Sequence, residues 1–530
     1  MSLKSTYIIL FSILLFASFL RFYHIGNFGI FGDEKQGIMV AVGNVNIGGQ
    51  KEYMSPDKTF TPKDFWRSKT MTELLDANAR GDTSGNAIVH LFSMSTFGKL
   101  FGRSDLSLRS VSVIFNLLTI LIIFLIGKNI LKSTKIGLMA AFLASIEPFF
   151  IVYSQQARFY TTAIFFSTLA SYYFLQIVFS PKSNTNVYLK YTLTLILSLF
   201  SNYLTFTMLI VHGLFWLITD RSIEKLKKLS ACYVIMLIPF LLWMTQGPGQ
   251  YAIQYIKDAT NLYNSILNNP KLAASYSSFV ERANFENLSK RSISILSDFF
   301  IFTNGTYQSL GFKFAFLLLI IFVIFTSFLI LYRATATDRK IFIFVTLIIS
   351  IPFLFTLSSA YKTGLMTGFY FRYAALGLPF VSILTAWLID KTTQIHKLIT
   401  LCLSALLFFQ IYQIAEILQD FYQDKPQKYA PSNNRIFNPY MTLAEKIEKR
   451  YSLGDTILYP SLYQNVFSTA IKKDINDFDN IDAQLTNLYL PKDATYIQRI
   501  NINEKNRVIL VKKNHQKFIL FDFQDRKYRY

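Results

Sequence analysis

Residues 190–219 read KYTLTLILSLFSNYLTFTMLIVHGLFWLIT, and the way this run divides decides the topology of the whole chain. A helix that crosses a bilayer needs about 20 apolar residues, so the run is too long for one ordinary span. Ser201, Asn202 and Tyr203 interrupt it with polar groups. Two short helices meeting near one membrane surface are therefore expected. A single tilted helix would reverse the orientation of every later segment.

The connecting loops test that division. Other apolar runs fall near 5–22, 106–126, 136–153, 159–180, 229–245, 310–332, 341–357, 373–390 and 398–417. With 190–202 and 203–219 counted separately, the chain has about eleven spans. If the N-terminus is cytoplasmic, the inside loops are 127–135, 181–190, 219–229, 333–340 and 391–397. They carry Lys128, Lys132 and Lys135; Lys182 and Lys190; Arg221, Lys225, Lys227 and Lys228; Arg333, Arg339 and Lys340; Lys391 and Lys397. Short, net-basic loops mark the cytoplasmic side. An undivided 190–219 helix would put the last two outside, so the divided reading is preferred.

The opposite face then holds segments 21–105 and 246–309, the short 358–372 loop and the tail. The expected fold class is a polytopic α-helical membrane protein with outer amphipathic loop helices and a small C-terminal α/β domain. Residues 1–417 form the transmembrane domain and 418–530 the soluble periplasmic one, in a multi-pass bacterial inner-membrane protein. Gly37–Val45, Ala87–Phe101 and Ser292–Phe302 have the apolar spacing of interfacial helices. In the tail, Met441–Arg450 reads as a helix and Asp455–Tyr459 as a strand. Arg507–Lys512 and Lys517–Phe523 read as a strand pair turning near Asn514-His515.

Composition agrees with a membrane chain. Apolar residues make up 52% and charged ones only 16%, whereas soluble chains carry about a quarter charged. The net charge of +21 is spread over short loops, and no basic stretch is interleaved with aromatics for base stacking. Nucleic-acid binding is excluded on that pattern. Cys232 and Cys402 lie within apolar runs and read as packed thiols, not a disulfide or metal pair. The first run ends FASFLR at Arg21 without a small-x-small cleavage site, so it reads as a retained helix.

Four constellations carry candidate chemistry. Arg21 to Glu34 (RFYHIGNFGIFGDE) puts adjacent carboxylates Asp33 and Glu34 near the outer surface, where a base could meet both a lipid headgroup and a water-borne hydroxyl. The same residues also suit the start of a helix, as cap and dipole partner. Asp76 to Asn86 (DANARGDTSGN) offers Asp82 as a second acid or as a turn residue, and His90 follows on an apolar helical face, where packed histidines are common. No H-x-x-x-H or Cys/His cluster supports a protein-built zinc site.

Glu147 to Tyr160 (EPFFIVYSQQARFY) places Arg158 at the outer boundary, where a guanidinium can bind phosphate bidentately. Glu147 is intramembrane and needs a partner, Arg158 being one candidate. Arg372-Tyr373 supplies another boundary cation, suited to phosphate or to snorkelling toward headgroups.

Taken in order, Leu20 through Glu34, Phe101 to Arg109 (FGRSDLSLR), Pro148 to Tyr160, and Arg372-Tyr373 followed by Leu378-Pro379 resemble a known family. They are similar to the GT-C glycosyltransferases that use polyprenyl-phosphate sugars. That group includes protein O-mannosyltransferases, lipid A aminoarabinose transferases and bacterial relatives acting on lipopolysaccharide cores. Two positions depart from the pattern. Gln156 stands where the family has Glu, and Asp82 to Asn86 replaces the family's Pro-Pro-Leu-Tyr-Tyr loop ending.

The resemblance implies inverting transfer from an undecaprenyl-phosphate-linked sugar to a lipid or protein acceptor on the periplasmic face. Asp33 would be the base, with Glu34 orienting loop or substrate and Asp82 a second acid. Arg158 and Arg372 would hold the leaving phosphate, with Lys35 and His90 as lesser candidates and Tyr160 and Tyr373 beside the substrate. No cofactor is firmly implied, and a divalent metal is not required. A lipid-linked-saccharide flippase, a polysaccharide polymerase or ligase, and a membrane assembly factor are the competing readings. A transporter would favour polar residues deep in several spans, whereas these spans are nearly free of charge apart from Glu147.

Overall fold

Length and apolarity determine which helices can span. The computed structural model describes all residues except 1, 27–28, 31, 45–53, 81–84, 103, 181–183, 221, 276–279, 395–396, 424, 426–427, 430–436, 462–479, 526 and 529–530. Among the described residues eight helices are long and apolar enough to cross a membrane: Leu3–Phe22, Asp105–Asn129, Tyr160–Phe179, Ile223–Thr245, Thr306–Arg333, Ala336–Thr363, Phe371–Thr392 and Leu401–Tyr422. Thr134–Ser145 and Pro148–Ser154 make a ninth if taken as one broken span.

That pair corrects one expectation. Run 136–153 reads as a continuous helix in the sequence, yet its halves bend by 57°. Pro148 has no amide N–H, and its ring drives the preceding residue out of the helical region. Glu147 is accordingly extended, with φ −68° and ψ 121°.

The run 190–219 divides where its polar residues stand. The helix Thr185–Ser201 stops at Asn202, which is extended (φ −166°, ψ 128°). The Asn202 side chain accepts a hydrogen bond from the Leu204 N–H at 2.9 Å. A 3-10 turn, Tyr203–Thr205, then leads into Phe206–Thr219. The break leaves N–H groups without helical partners. Asn86, from the first large loop, takes one of them by accepting from the Tyr203 N–H at 3.0 Å. Both halves are shorter than the other spans, and counting them as crossings gives the proposed eleven. Lys182, Arg221 and Val45 lie outside the described residues.

Burial sorts the helices into two layers. Phe371–Thr392, Tyr160–Phe179 and Asp105–Asn129 are 83%, 72% and 67% buried over their most apolar windows, against 17% for Ile223–Thr245 and 22% for Thr306–Arg333. The second group turns Phe314, Ile324 and Leu331, or Val234 and Ile238, outward, as lipid-facing helices do. Lipid gives no hydrophobic drive for helix association, so small residues that allow close approach matter. A Cβ on Gly127 would stand 2.4 Å from the Gly137 Cα, so only glycine fits that crossing.

Arg21 is fully buried at the end of the first helix. It donates to Asn116 Oδ1 at 2.6 Å and to the carbonyls of Ser145 and Ala144 at 2.9 and 3.2 Å. Those carbonyls are orphans of a helix end.

The tail forms a four-stranded sheet: β1 (Thr456–Pro460), β2 (Ile497–Asn501), β3 (Arg507–Val511) and β4 (Lys517–Asp522), in the order β2-β1-β3-β4. The β3–β4 hairpin is antiparallel, as the alternating pattern indicated, and β2 adds a parallel partner to β1. Helices Pro439–Arg450 and Ile481–Asn487 pack on this sheet.

The tail shares a hydrophobic core with the first loop. Ile30, Ile38, Met39 and Phe60 belong to the same cluster as Tyr440, Leu443, Ile457 and Val508. Phe60 and Gln498 also exchange backbone hydrogen bonds of 3.0 and 2.9 Å. The loop helices run Gly32–Ala41, Ile88–Phe101 and Phe285–Phe299, so the first and last begin earlier than their apolar spacing suggests.

Candidate active site

Asp33 and Glu34 both lie in the first turn of Gly32–Ala41, where acidic side chains are favoured by the helix dipole. Neighbouring residues on a helix point in different directions, and these two carboxylates meet opposite fates. Glu34 is 1% exposed. Arg109 grips it bidentately, with Nε 2.9 Å from Oε1 and Nη2 2.8 Å from Oε2, and the Ala157 N–H donates to Oε1 at 2.8 Å. Arg109 also donates to the carbonyls of Ile25 and Gly29 at 2.8 and 3.0 Å. Breaking a buried pair of this kind costs about 3–5 kcal/mol, because one charge is left uncompensated.

The Asp33 side chain is 40% exposed. Its Oδ2 lies 3.6 Å from Arg372 Nη1 and 3.8 Å from Arg158 Nη2. At those separations the charges attract without a hydrogen bond. Arg158 is fixed from behind by a 2.7 Å hydrogen bond from Nη1 to the Asp33 backbone carbonyl.

Aromatic rings complete the wall. The Arg372 guanidinium stands 5.0 Å from the Tyr373 ring centre, 5.2 Å from Tyr370 and 5.7 Å from Tyr160. It also donates to the Tyr373 hydroxyl at 3.3 Å. Arg158 lies 5.0 Å from Phe159 and 5.9 Å from Tyr160. Cations held over rings in this way keep their charge while burying their stems.

Arg158, Tyr160 and Tyr373 open on a cavity of about 490 Å³ whose lining includes Asn202, Tyr203 and Phe355. The break in run 190–219 thus forms part of the cavity wall. Arg372 lines a second cavity of about 160 Å³ with Arg291, Asp298 and Lys428.

Asp33, Arg158, Arg372, Tyr160 and Tyr373 are therefore brought together. Lys35 is not: its ammonium is buried 5.5 Å from the Tyr440 ring centre, facing the C-terminal domain instead of the arginines. His90 is also buried, with Nδ1 2.8 Å from Thr162 Oγ1. Burial first, and the Arg158 charge second, push its pKa down to about 3, so it stands behind Arg158 as a neutral, packed ring. Asp82 lies outside the described residues.

Glu147 does not pair with Arg158, which is committed to Asp33. It accepts from Asn304 Nδ2 at 3.3 Å and faces the charges of Lys428 and Arg21. Lys428 in turn lies 3.3 Å from Asp298 and donates to Asn304. Glu147 was singled out in the sequence, but its partners Asp298, Asn304 and Lys428 come from distant segments without a motif, so the group as such escapes sequence reading. Arg109 was visible in FGRSDLSLR, but its partner is 75 residues away. Among the described residues no three His, Cys, Asp or Glu side chains gather as a metal site would require.

Residues 86–244 match the dolichyl-phosphate-mannose-protein mannosyltransferase family. The match includes Arg109, Arg158, Tyr160 and the break at Asn202, and over that stretch it bears out the resemblance carried by the motifs. Asp33 and Arg372 lie outside it. No curated protein matches the chain by sequence.

Solved structures that align with it include ArnT from Cupriavidus metallidurans in the apo state, at 11% identity and a TM-score of 0.49, covering 92% of this chain and 75% of that one. The same protein bound to undecaprenyl phosphate aligns at 10% identity and 0.47, covering 92% and 77%. The Archaeoglobus fulgidus oligosaccharyltransferase AglB, in complex with an inhibitory peptide and a dolichol-phosphate, aligns at 13% identity and 0.46, covering 94% and 65%.

Proposed function

We propose that the chain is an inverting glycosyltransferase that moves a sugar from a polyprenyl-phosphate carrier, undecaprenyl phosphate in a bacterial membrane, to a hydroxyl of a cell-envelope acceptor. The observation that carries this reading is the half-exposed Asp33 carboxylate set between Arg158 and Arg372. In the proposed step the acceptor oxygen attacks the anomeric carbon while the bond from that carbon to the phosphate oxygen breaks. The acceptor proton passes to Asp33, and the departing lipid monophosphate keeps the bonding electron pair. Two guanidiniums neutralise the charge that grows on it, so the leaving group needs no proton.

The family match adds support, since its name describes transfer from an isoprenoid-phosphate sugar. Aromatic and apolar walls around Arg158 suit a ligand with a charged head and an oily tail. The basic loops support an orientation with this site on the periplasmic face and the N-terminus in the cytoplasm.

The test is mass spectrometry of envelope glycolipids and glycoproteins from cells carrying wild-type protein or Asp33→Asn. The modified species should disappear with the variant while the protein still inserts. A product level equal to wild type would remove Asp33 from the role.

A further inference from the structure

Asp105 opens the Asp105–Asn129 helix and is buried, although it is a carboxylate. Both of its oxygens are taken by the C-terminal domain. Asn438 Nδ2 donates to Oδ2 at 2.8 Å, and the Tyr489 hydroxyl donates to Oδ1. Asn438 Nδ2 also reaches the Tyr489 oxygen at 2.7 Å, closing a three-membered polar knot. These partners lie 333 and 384 residues from Asp105.

Apolar packing alone would dock the domain at many registers. A buried carboxylate that must be satisfied admits few.

The knot leads directly into the site. One helical turn after Asp105, Arg109 holds Glu34 by two hydrogen bonds. Glu34 precedes Lys35, which itself packs on Tyr440 of the C-terminal domain, and follows Asp33. The Ala157 N–H that donates to Glu34 neighbours Arg158, whose guanidinium holds the Asp33 carbonyl.

We propose that the C-terminal domain positions the catalytic loop, with Tyr489, Asn438 and Asp105 as positioning residues that set Asp33 through Arg109 and Glu34. This rests on the reading of Asp33 as the base. It assigns the domain a part in turnover beyond mere attachment. Displacing reacting groups by about 1 Å costs on the order of a hundredfold in rate, and loosening the knot would allow a shift of that order.

The experiment uses full-length protein in detergent and in cells, as Tyr489→Phe and Asp105→Ala. The first keeps the ring and removes one donor; the second removes the acceptor. Three readouts are compared with wild type: hydrogen exchange of the peptide covering residues 32–41, affinity for undecaprenyl phosphate, and envelope product per molecule of folded protein.

Exchange in 32–41 should rise about tenfold in both variants and product should fall at least about tenfold. Undecaprenyl phosphate affinity should stay within about twofold. Unchanged exchange and product in both folded variants would overturn the proposal, as would a product loss that merely follows lost lipid affinity. An active Asp33→Asn protein would sink the base assignment instead, and a loosened 32–41 peptide in Tyr489→Phe would survive that result.

Discussion

Asp33 and Glu34 are chemically near-identical neighbours, yet the fold treats them as different kinds of residue. Glu34 is sealed behind the site and accepts three hydrogen bonds from Arg109 and Ala157. Asp33 faces the opening, loosely attracted by two arginines and hydrogen-bonded by neither carboxylate oxygen to them. A buried carboxylate held by several hydrogen bonds fixes geometry, because moving it costs those bonds at once. A half-exposed one can change partners and accept a proton. The comparison separates holding from reacting, and each side of it can be broken by its own substitution.

The largest effect on stability is expected from Arg109→Leu, which strands Glu34 in the interior. Thermal unfolding in detergent should show a loss of about 3–5 kcal/mol or failure to insert. A variant as stable as wild type would mean that Glu34 finds another partner and that the clamp is not needed. Arg372→Gln and Arg158→Gln touch the reacting side. Each removes charge-assisted contacts worth about 1.5–3 kcal/mol, so affinity for undecaprenyl phosphate should fall roughly ten- to a hundredfold with little change in unfolding. Unaltered affinity in both would take the phosphate away from the two arginines.

The smallest effect concerns His90. Its folded pKa is held near 3 against an ordinary 6.5, chiefly by burial. Below pH 6.5 the unfolded chain therefore takes up a proton that the folded chain refuses. The stabilisation is complete above 6.5 and is lost as pH falls toward 3. The melting temperature of wild type should thus drop more steeply between pH 6.5 and 4.5 than that of His90→Gln. Parallel curves would show that His90 titrates alike in the folded and unfolded chains and is not held neutral by burial.

How much of this was legible in the sequence follows from the range of each interaction. The break at Ser201-Asn202-Tyr203 is a local polar interruption, so the divided run was readable. Arg158 and Arg372 were readable as cations at helix boundaries. The bend at Glu147 was signalled by Pro148 but hidden inside an apolar run.

The different fates of Asp33 and Glu34 were not readable, since they depend on Arg109 across 75 residues and on the Ala157 amide across 123. Lys35 looked like a phosphate ligand by proximity in sequence, and its contact with Tyr440 is a matter of how the tail folds back. The knot at Asp105 is longer-range still, and neither Asn438 nor Tyr489 sits in a recognisable motif.

One paired measurement bears most directly on the separation of the two carboxylates: unfolding temperature and envelope product for Asp33→Asn and Glu34→Gln in the same membranes. Asp33→Asn should unfold within a few degrees of wild type and lose about 10²–10⁴-fold of product per folded molecule, the usual contribution of a general base. Glu34→Gln should lose more stability than Asp33→Asn and, because Asp33 is then less firmly positioned, about tenfold of product per folded molecule. An Asp33→Asn protein with wild-type product, or a Glu34→Gln protein as stable and as active as wild type, would contradict the account.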